Sequence, residues 1–166
     1  GPHGRRAVGM HQRLRKHHRH LAEAMTQLTT HFALEEFTLS QEAARKGLDN
    51  TPTPEAMANL LRTATGMEAV RVVLGGAPIS ISSGYRSPSV NAAVGGVKNS
   101  QHMTGMACDF TAHRFGTVQQ VFDAIKRSGI AYDQLIIEWS RWVHISFSDK
   151  PRKQALVIDN NGTRNA

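Results

Sequence analysis

The chain has 166 residues, 40% of them hydrophobic, which suits a single domain with a buried core that needs no disulfides. Its lone cysteine, Cys108, excludes an internal disulfide, and no apolar run reaches the roughly 18 residues of a membrane span. The net charge of +7 is unevenly placed: residues 1–24 hold six basic residues and one acid, a net of +5, which leaves +2 for residues 25–166. A nearly neutral body without an aromatic stacking platform argues against a nucleic-acid binder.

In chain order, the basic segment comes first. It opens with "GPHG", the form of a protease-cleavage scar, and holds five of the nine histidines. Residues 1–24 are therefore read as a tag or leader, with Met25 as a natural start and residues 25–166 as the functional domain. The alternative for "HQRLRKHHRHLAEAM" is a helical basic arm that binds anionic envelope polymers. No signal peptide is readable.

"FTLSQEAARKG" predicts a short helix capped by Thr38, with Gln41 as capping-box partner and Gly47 as its stop. Thr53-Pro54 opens a longer helix over about 54–74. Its apolar positions Met57, Leu60, Leu61, Ala64, Met67 and Val70 recur at helical spacing and read as core. "APISISSGYRSP" alternates as a strand that ends in a Gly turn, with a short helix from about Pro88. "ACDFTA" is a strand, and Thr117 caps a helix over about 118–128 closed by Gly129. "YDQLIIEW" and "WVHISF" form two strands joined by a tight turn around Ser140, and "QALVID" is a final edge strand before a polar tail. Helices first and strands late predict an α+β fold, with helices packed on a mostly antiparallel sheet.

The chemistry gathers at "SQHMTGMACDF", where His102 and Asp109 flank small residues. On a strand, Asp109 shares a face with Ala107, while Cys108 and Phe110 face the other way, so Cys108 reads as a buried hydrophobe. Gly105 and Ala107 leave room for a ligand or a backbone to approach. His144, mid-strand between Val143 and Ile145, adds a second imidazole. Two histidines and one aspartate match the three protein ligands of an open catalytic zinc site, and no cysteine is placed to close it.

"SGYRSPSVNAAVGGVKNSQHMTGMACDF" followed by "DQLIIEWSRWVHISF" closely resembles the zinc D-alanyl-D-alanine carboxypeptidase family, whose fold is shared with hedgehog signalling domains. Its S-x-H-x-x-G-x-A-x-D pattern is matched by Ser100, His102, Gly105, Ala107 and Asp109, and its W-x-H pattern by Trp142 and His144. The resemblance spans roughly residues 32–148, and "DQLIIE" is most like the phage-associated branch. It implies Zn2+ on His102, Asp109 and His144, with Arg86 at the oxyanion or a substrate carboxylate and Ser100 as a substrate-binding residue. The implied substrate is peptidoglycan peptides, cut by an endolysin-like endopeptidase or a D,D-carboxypeptidase acting at the cell wall in the periplasm as a monomer. A catalytically silent zinc module is the alternative.

One position departs from many relatives. Where they carry a catalytic acid three residues before the last zinc histidine, this chain has Arg141, which cannot accept a proton. Among Asp133, Glu138 and Asp149, only Glu138 lies where a hairpin turning near Ser140 brings it toward His144, so Glu138 is the expected general base. Asp133 and Asp149 are expected at strand ends away from the site. His113 is the likeliest false ligand.

Overall fold

The structure is a computed structural model and describes residues 25–166. The basic segment read as a tag or leader lies outside the described residues.

Two short helices, α1 (Leu34–Thr38) and α2 (Gln41–Lys46), precede the long helix α3 (Pro54–Val73). Strand β1 (Ser80–Ser83) leads through a loop to α4 (Pro88–Ala93), and a 3-10 turn (Gln101–Thr104) leads into β2 (Ala107–Thr111). Helix α5 (Val118–Ser128) follows, and the chain ends with β3 (Gln134–Glu138), β4 (Trp142–Ser146), β5 (Gln154–Asp159) and β6 (Gly162–Asn165). The six strands form one sheet in the order β1-β2-β4-β3-β5-β6. Every pairing is antiparallel except β3 with β5. This is the α+β architecture expected from the sequence.

Local chemistry sets the helix ends. Thr53 Oγ1 accepts from Ala56 N at 3.1 Å, with Pro54 at the first helical position. Thr117 and Gln120 make a reciprocal capping box at the start of α5, and left-handed Gly129 closes it. Each such cap is worth about 1 kcal/mol. The Thr38 cap is corrected: Thr38 is the last residue of α1, and its hydroxyl donates back to Leu34 O. Ser40 caps α2 instead, accepting from Ala43 N at 3.1 Å, which makes Gln41 the first residue of that helix.

Two more expectations change. Leu61 is 49% exposed, because the buried stripe of α3 runs through Ala56, Leu60, Thr63, Ala64, Met67 and Val70 and leaves Leu61 off to one side. "QALVID" is not the edge strand. It pairs in parallel with β3 on one side and antiparallel with β6 on the other, and β6 is built from the tail that reads as polar. Backbone pairing across the Asp159–Gly162 turn outweighs the weak strand preference of Gly162 and Asn165.

The sheet has two distinct faces. Cys108 and Phe110 of β2, Leu135 and Ile137 of β3, and Val143 and Ile145 of β4 all enter the core with Leu60, Met67, Phe122 and Ile125 of the helices. Fully burying side chains of this size contributes about 1.5–3 kcal/mol each. By strand alternation, Asp109, His144, Ile136 and Glu138 then face the other side. The functional residues thus sit on the back of a packed, rigid sheet.

Candidate metal centre

The register of β2 against β4 puts Asp109 directly opposite His144. His144 Nδ1 lies 3.0 Å from Asp109 Oδ1, and His102 Nε2 lies 3.3 Å from the same oxygen. The two imidazole rings stand edge to face with centroids 5.1 Å apart. One ligand atom from each of His102, Asp109 and His144 falls within 4.8 Å of the others. His102 is 2% exposed and His144 8%, so the cluster is held away from bulk water.

His102 arrives from outside the sheet. Ser100 caps the 3-10 turn, its hydroxyl accepting from His102 N at 3.2 Å, and Gly105 ends the turn at φ 78°. A Cβ on Gly105 would stand 2.6 Å from Ala56 O of α3. The small residue therefore serves a close backbone approach, which is one of the two uses its size allowed. The His102 ring has a fixed orientation. Its Nδ1 lies 2.7 Å from Gly84 O, an acceptor only, so Nδ1 carries a proton and Nε2 is the nitrogen turned to the cluster.

The loop that supplies this carbonyl is itself braced. Tyr85 N donates to Phe37 O and Arg86 N to His102 O. Asn50 bridges the same loop, donating to Tyr85 O and accepting from Ser87 N. Nothing in the sequence marks Asn50 for this task, because a loop asparagine reads as turn chemistry.

Glu138 lies on the site face beyond Ile136, which pairs with His144. Its Oε1 is 3.9 Å from His144 Nδ1. Burial, and after it the charge of Asp109, push its carboxyl above the ordinary glutamate range, against a smaller pull from His144 and His102. Asp109 goes the other way. Burial disfavours its charge, but hydrogen bonds and charge from His102 and His144 outweigh that and hold it well below the usual carboxylate range. Two carboxyls with opposed shifts in one cleft are the arrangement that separates an ionised ligand from an acid–base group.

Arg86 lines the same cleft with Ser100, Gln101 and Trp142. Its Nε is buried with no hydrogen-bond partner, so the guanidinium keeps donors uncommitted. The Ser100 hydroxyl accepts within the cap, though the residue borders the cleft. The other acids are elsewhere. Asp133 is buried at the start of β3 and takes a two-pronged contact from Arg152, at 2.9 and 2.7 Å, together with Gln101 Nε2 at 2.8 Å. It thereby pins the residue next to His102, a task the sequence did not reveal. Asp149 is exposed past the end of β4. His113 lies beyond the end of β2, is exposed, and borders a separate groove beside β1. Arg141 is exposed in the hairpin turn.

A helix-backed antiparallel sheet that presents a buried His-Asp-His cluster beside a partly buried glutamate and a free guanidinium has the form of a mononuclear metallohydrolase. A sequence model of the family described as Peptidase M15 matches residues 30–146, and the chain belongs to that family. The chain is also 44% identical over 57 residues to the zinc D-Ala-D-Ala carboxypeptidase of Streptomyces albus G. That stretch covers 34% of this chain and 22% of the relative, so the shared region is a minor part of that protein. Among the described residues, no helix is long and apolar enough to cross a membrane.

Proposed function

We propose that this chain is a zinc-dependent peptidase that hydrolyses peptide bonds in peptidoglycan stem peptides or cross-links. The observation that carries the reading is the convergence of His102 Nε2, Asp109 and His144 Nδ1 on one point of a cleft that also holds Glu138. Two imidazole nitrogens and one carboxylate are a donor set that fits zinc, leaving a fourth position open. Zinc bound there supplies Lewis acidity, polarising the scissile carbonyl and acidifying a water.

The chain's own groups do the rest. His102 is oriented by the Gly84 carbonyl, so its donor atom needs no rearrangement. Asp109 stays ionised at neutral pH and contributes charge as well as a ligand atom. Glu138 accepts the water's proton and returns it to the leaving amine, a role that a raised carboxyl pKa suits. Arg86 offers uncommitted N–H donors to the carbonyl oxygen as charge develops, or to a substrate carboxylate. Ser100 holds the turn that carries His102 and borders the bound peptide. Glu138 beside the cluster favours hydrolysis over a silent zinc module.

The name of the Streptomyces relative supports a cell-wall substrate and D-alanyl-D-alanine bonds as one target. Action at the cell wall in the periplasm, as a monomer and as an endolysin-like, phage-encoded enzyme, is the finer form of the proposal. All six residues come from one chain, so the site needs no second copy to be complete. The deciding experiment is mass spectrometry of purified muropeptides incubated with the zinc-loaded protein, with and without chelator. Unaltered muropeptides under both conditions refute the peptidase reading, and the mass lost identifies the bond.

A further inference from the structure

The β3–β4 hairpin turns through Glu138–Arg141, closed by Arg141 N donating to Glu138 O at 3.0 Å. Its two central residues, Trp139 and Ser140, have φ of 55° and 54°. A two-residue turn with positive φ at both positions favours Asn-Gly, two residues that tolerate left-handed backbone. A bulky aromatic there is a true outlier, and such strain persists chiefly where surrounding structure imposes it for a function. Here the turn is held on a second side, by Trp139 N donating to Ile158 O of β5 at 2.8 Å.

Packing does not account for the choice, because Trp139 remains 44% exposed. Leu39 (75%), Val94 (46%) and Val97 (67%) are exposed as well, and all four border the cleft that holds His102, Asp109 and His144. Eight large hydrophobic side chains are exposed among the described residues, and half of them therefore rim this one site. Scattered exposed hydrophobics are ordinary, whereas a cluster around a polar cleft marks a contact surface.

We propose that Trp139 is a specificity-determining residue: its ring, displayed by the strained turn, forms with Leu39, Val94 and Val97 an apolar mouth that selects the bound peptide by the aliphatic stem of one of its side chains. This rests on the peptidase reading for the identity of the ligand. The cluster binds and the carboxylate moves protons, while the rim decides which peptide lies across them. A ring carried on a hairpin tied to two neighbouring strands also loses little conformational freedom on binding.

The test uses two synthetic pentapeptides, L-Ala-γ-D-Glu-X-D-Ala-D-Ala, in which X is norleucine or glutamine, two uncharged side chains of similar length. Binding is measured by calorimetry on the full chain stripped of zinc, and cleavage on the zinc-loaded chain. The wild type should prefer norleucine by at least about fivefold in Kd, a gap of the size that a few methylenes give in an apolar site. Trp139→Asn suits the left-handed turn and removes the ring. It should bring that preference within about twofold of unity while melting within about 3 °C of wild type. A wild type without the preference, or a Trp139→Asn variant that keeps it, overturns the proposal. So does a variant that melts more than about 3 °C lower, which would assign the ring to packing. If both peptides bind with the expected preference yet neither is cut, the peptidase reading falls and the selective mouth stands.

Discussion

Asp109 and His144 face each other across β2 and β4, and the 3.0 Å between Asp109 Oδ1 and His144 Nδ1 follows directly from that register. A slip of one residue would turn His144 into the core and bring Val143 or Ile145 out in its place. The cluster is thus as rigid as the sheet. Only His102 depends on a loop, and that loop is tied by Gly84, Ser100 and Arg86 backbone or side-chain bonds.

The first expectation concerns the metal. His102→Ala removes one of three ligand atoms and should abolish stoichiometric zinc, measured by elemental analysis of the purified protein. His113→Ala should keep one zinc per chain, because His113 is exposed past the end of β2. Full zinc in the first variant or lost zinc in the second would sink the assignment.

Arg86 should serve the substrate and leave the metal alone. Lysine keeps the charge but not the planar fork of donors, so the two are not interchangeable at a bidentate contact. Arg86→Lys should lower kcat/KM by about tenfold or more, within the range for a charge-assisted contact, while zinc content and melting temperature hold. Unchanged turnover would return Arg86 to the role of a cleft-wall residue.

The Asp133–Arg152 pair should give the fold an acid limb. Hydrogen bonds from the Arg152 guanidinium and backbone, with Gln101, hold the Asp133 carboxyl well below its ordinary range against the opposing effect of burial. A depressed folded pKa means that this stabilisation is complete above the unfolded value near 4 and is lost as pH falls toward the folded value. Asp133→Asn should cost about 1–3 kcal/mol at pH 7 and much less near pH 2. Urea melts at both pH values check it, and an equal loss at each would contradict the assignment.

Much of the site was legible because strand alternation is a strict rule. Once "ACDFTA" and "WVHISF" are strands, Cys108, Phe110, Val143 and Ile145 take one face and Asp109 and His144 the other. The register that joins them is not written in either strand alone, and the resemblance supplied the pairing. What stayed hidden depends on tertiary contact. Asn50 and Asp133 work through partners 35 and 32 residues away, Tyr85 and Gln101. The tail strand β6 has little strand propensity of its own, and Thr38 lost its cap to Ser40 because α1 extends through it.

The last expectation concerns the proton. Arg141 stands where the resemblance leads to the expectation of an acid, and it is exposed in the hairpin turn. Glu138 stands across the same hairpin, paired with Trp142 in register, and two residues along the strand from Ile136, which pairs with His144. That places Glu138 on the site face, with Oε1 3.9 Å from His144 Nδ1. A competing role is a hairpin-end glutamate bound to Arg141, but the contact between these two residues is a backbone bond, Arg141 N to Glu138 O. Burial and the Asp109 charge raise the Glu138 carboxyl, which makes it a better base for water than an exposed glutamate and a competent acid toward a leaving amine. Glu138→Gln keeps the shape and removes the proton acceptor. It should bind zinc stoichiometrically and melt near the wild-type temperature, yet lose at least about a hundredfold in kcat, the usual size of an acid–base contribution. Near wild-type cleavage of muropeptides by Glu138→Gln would place the base on another group and leave Glu138 as a structural residue of the hairpin.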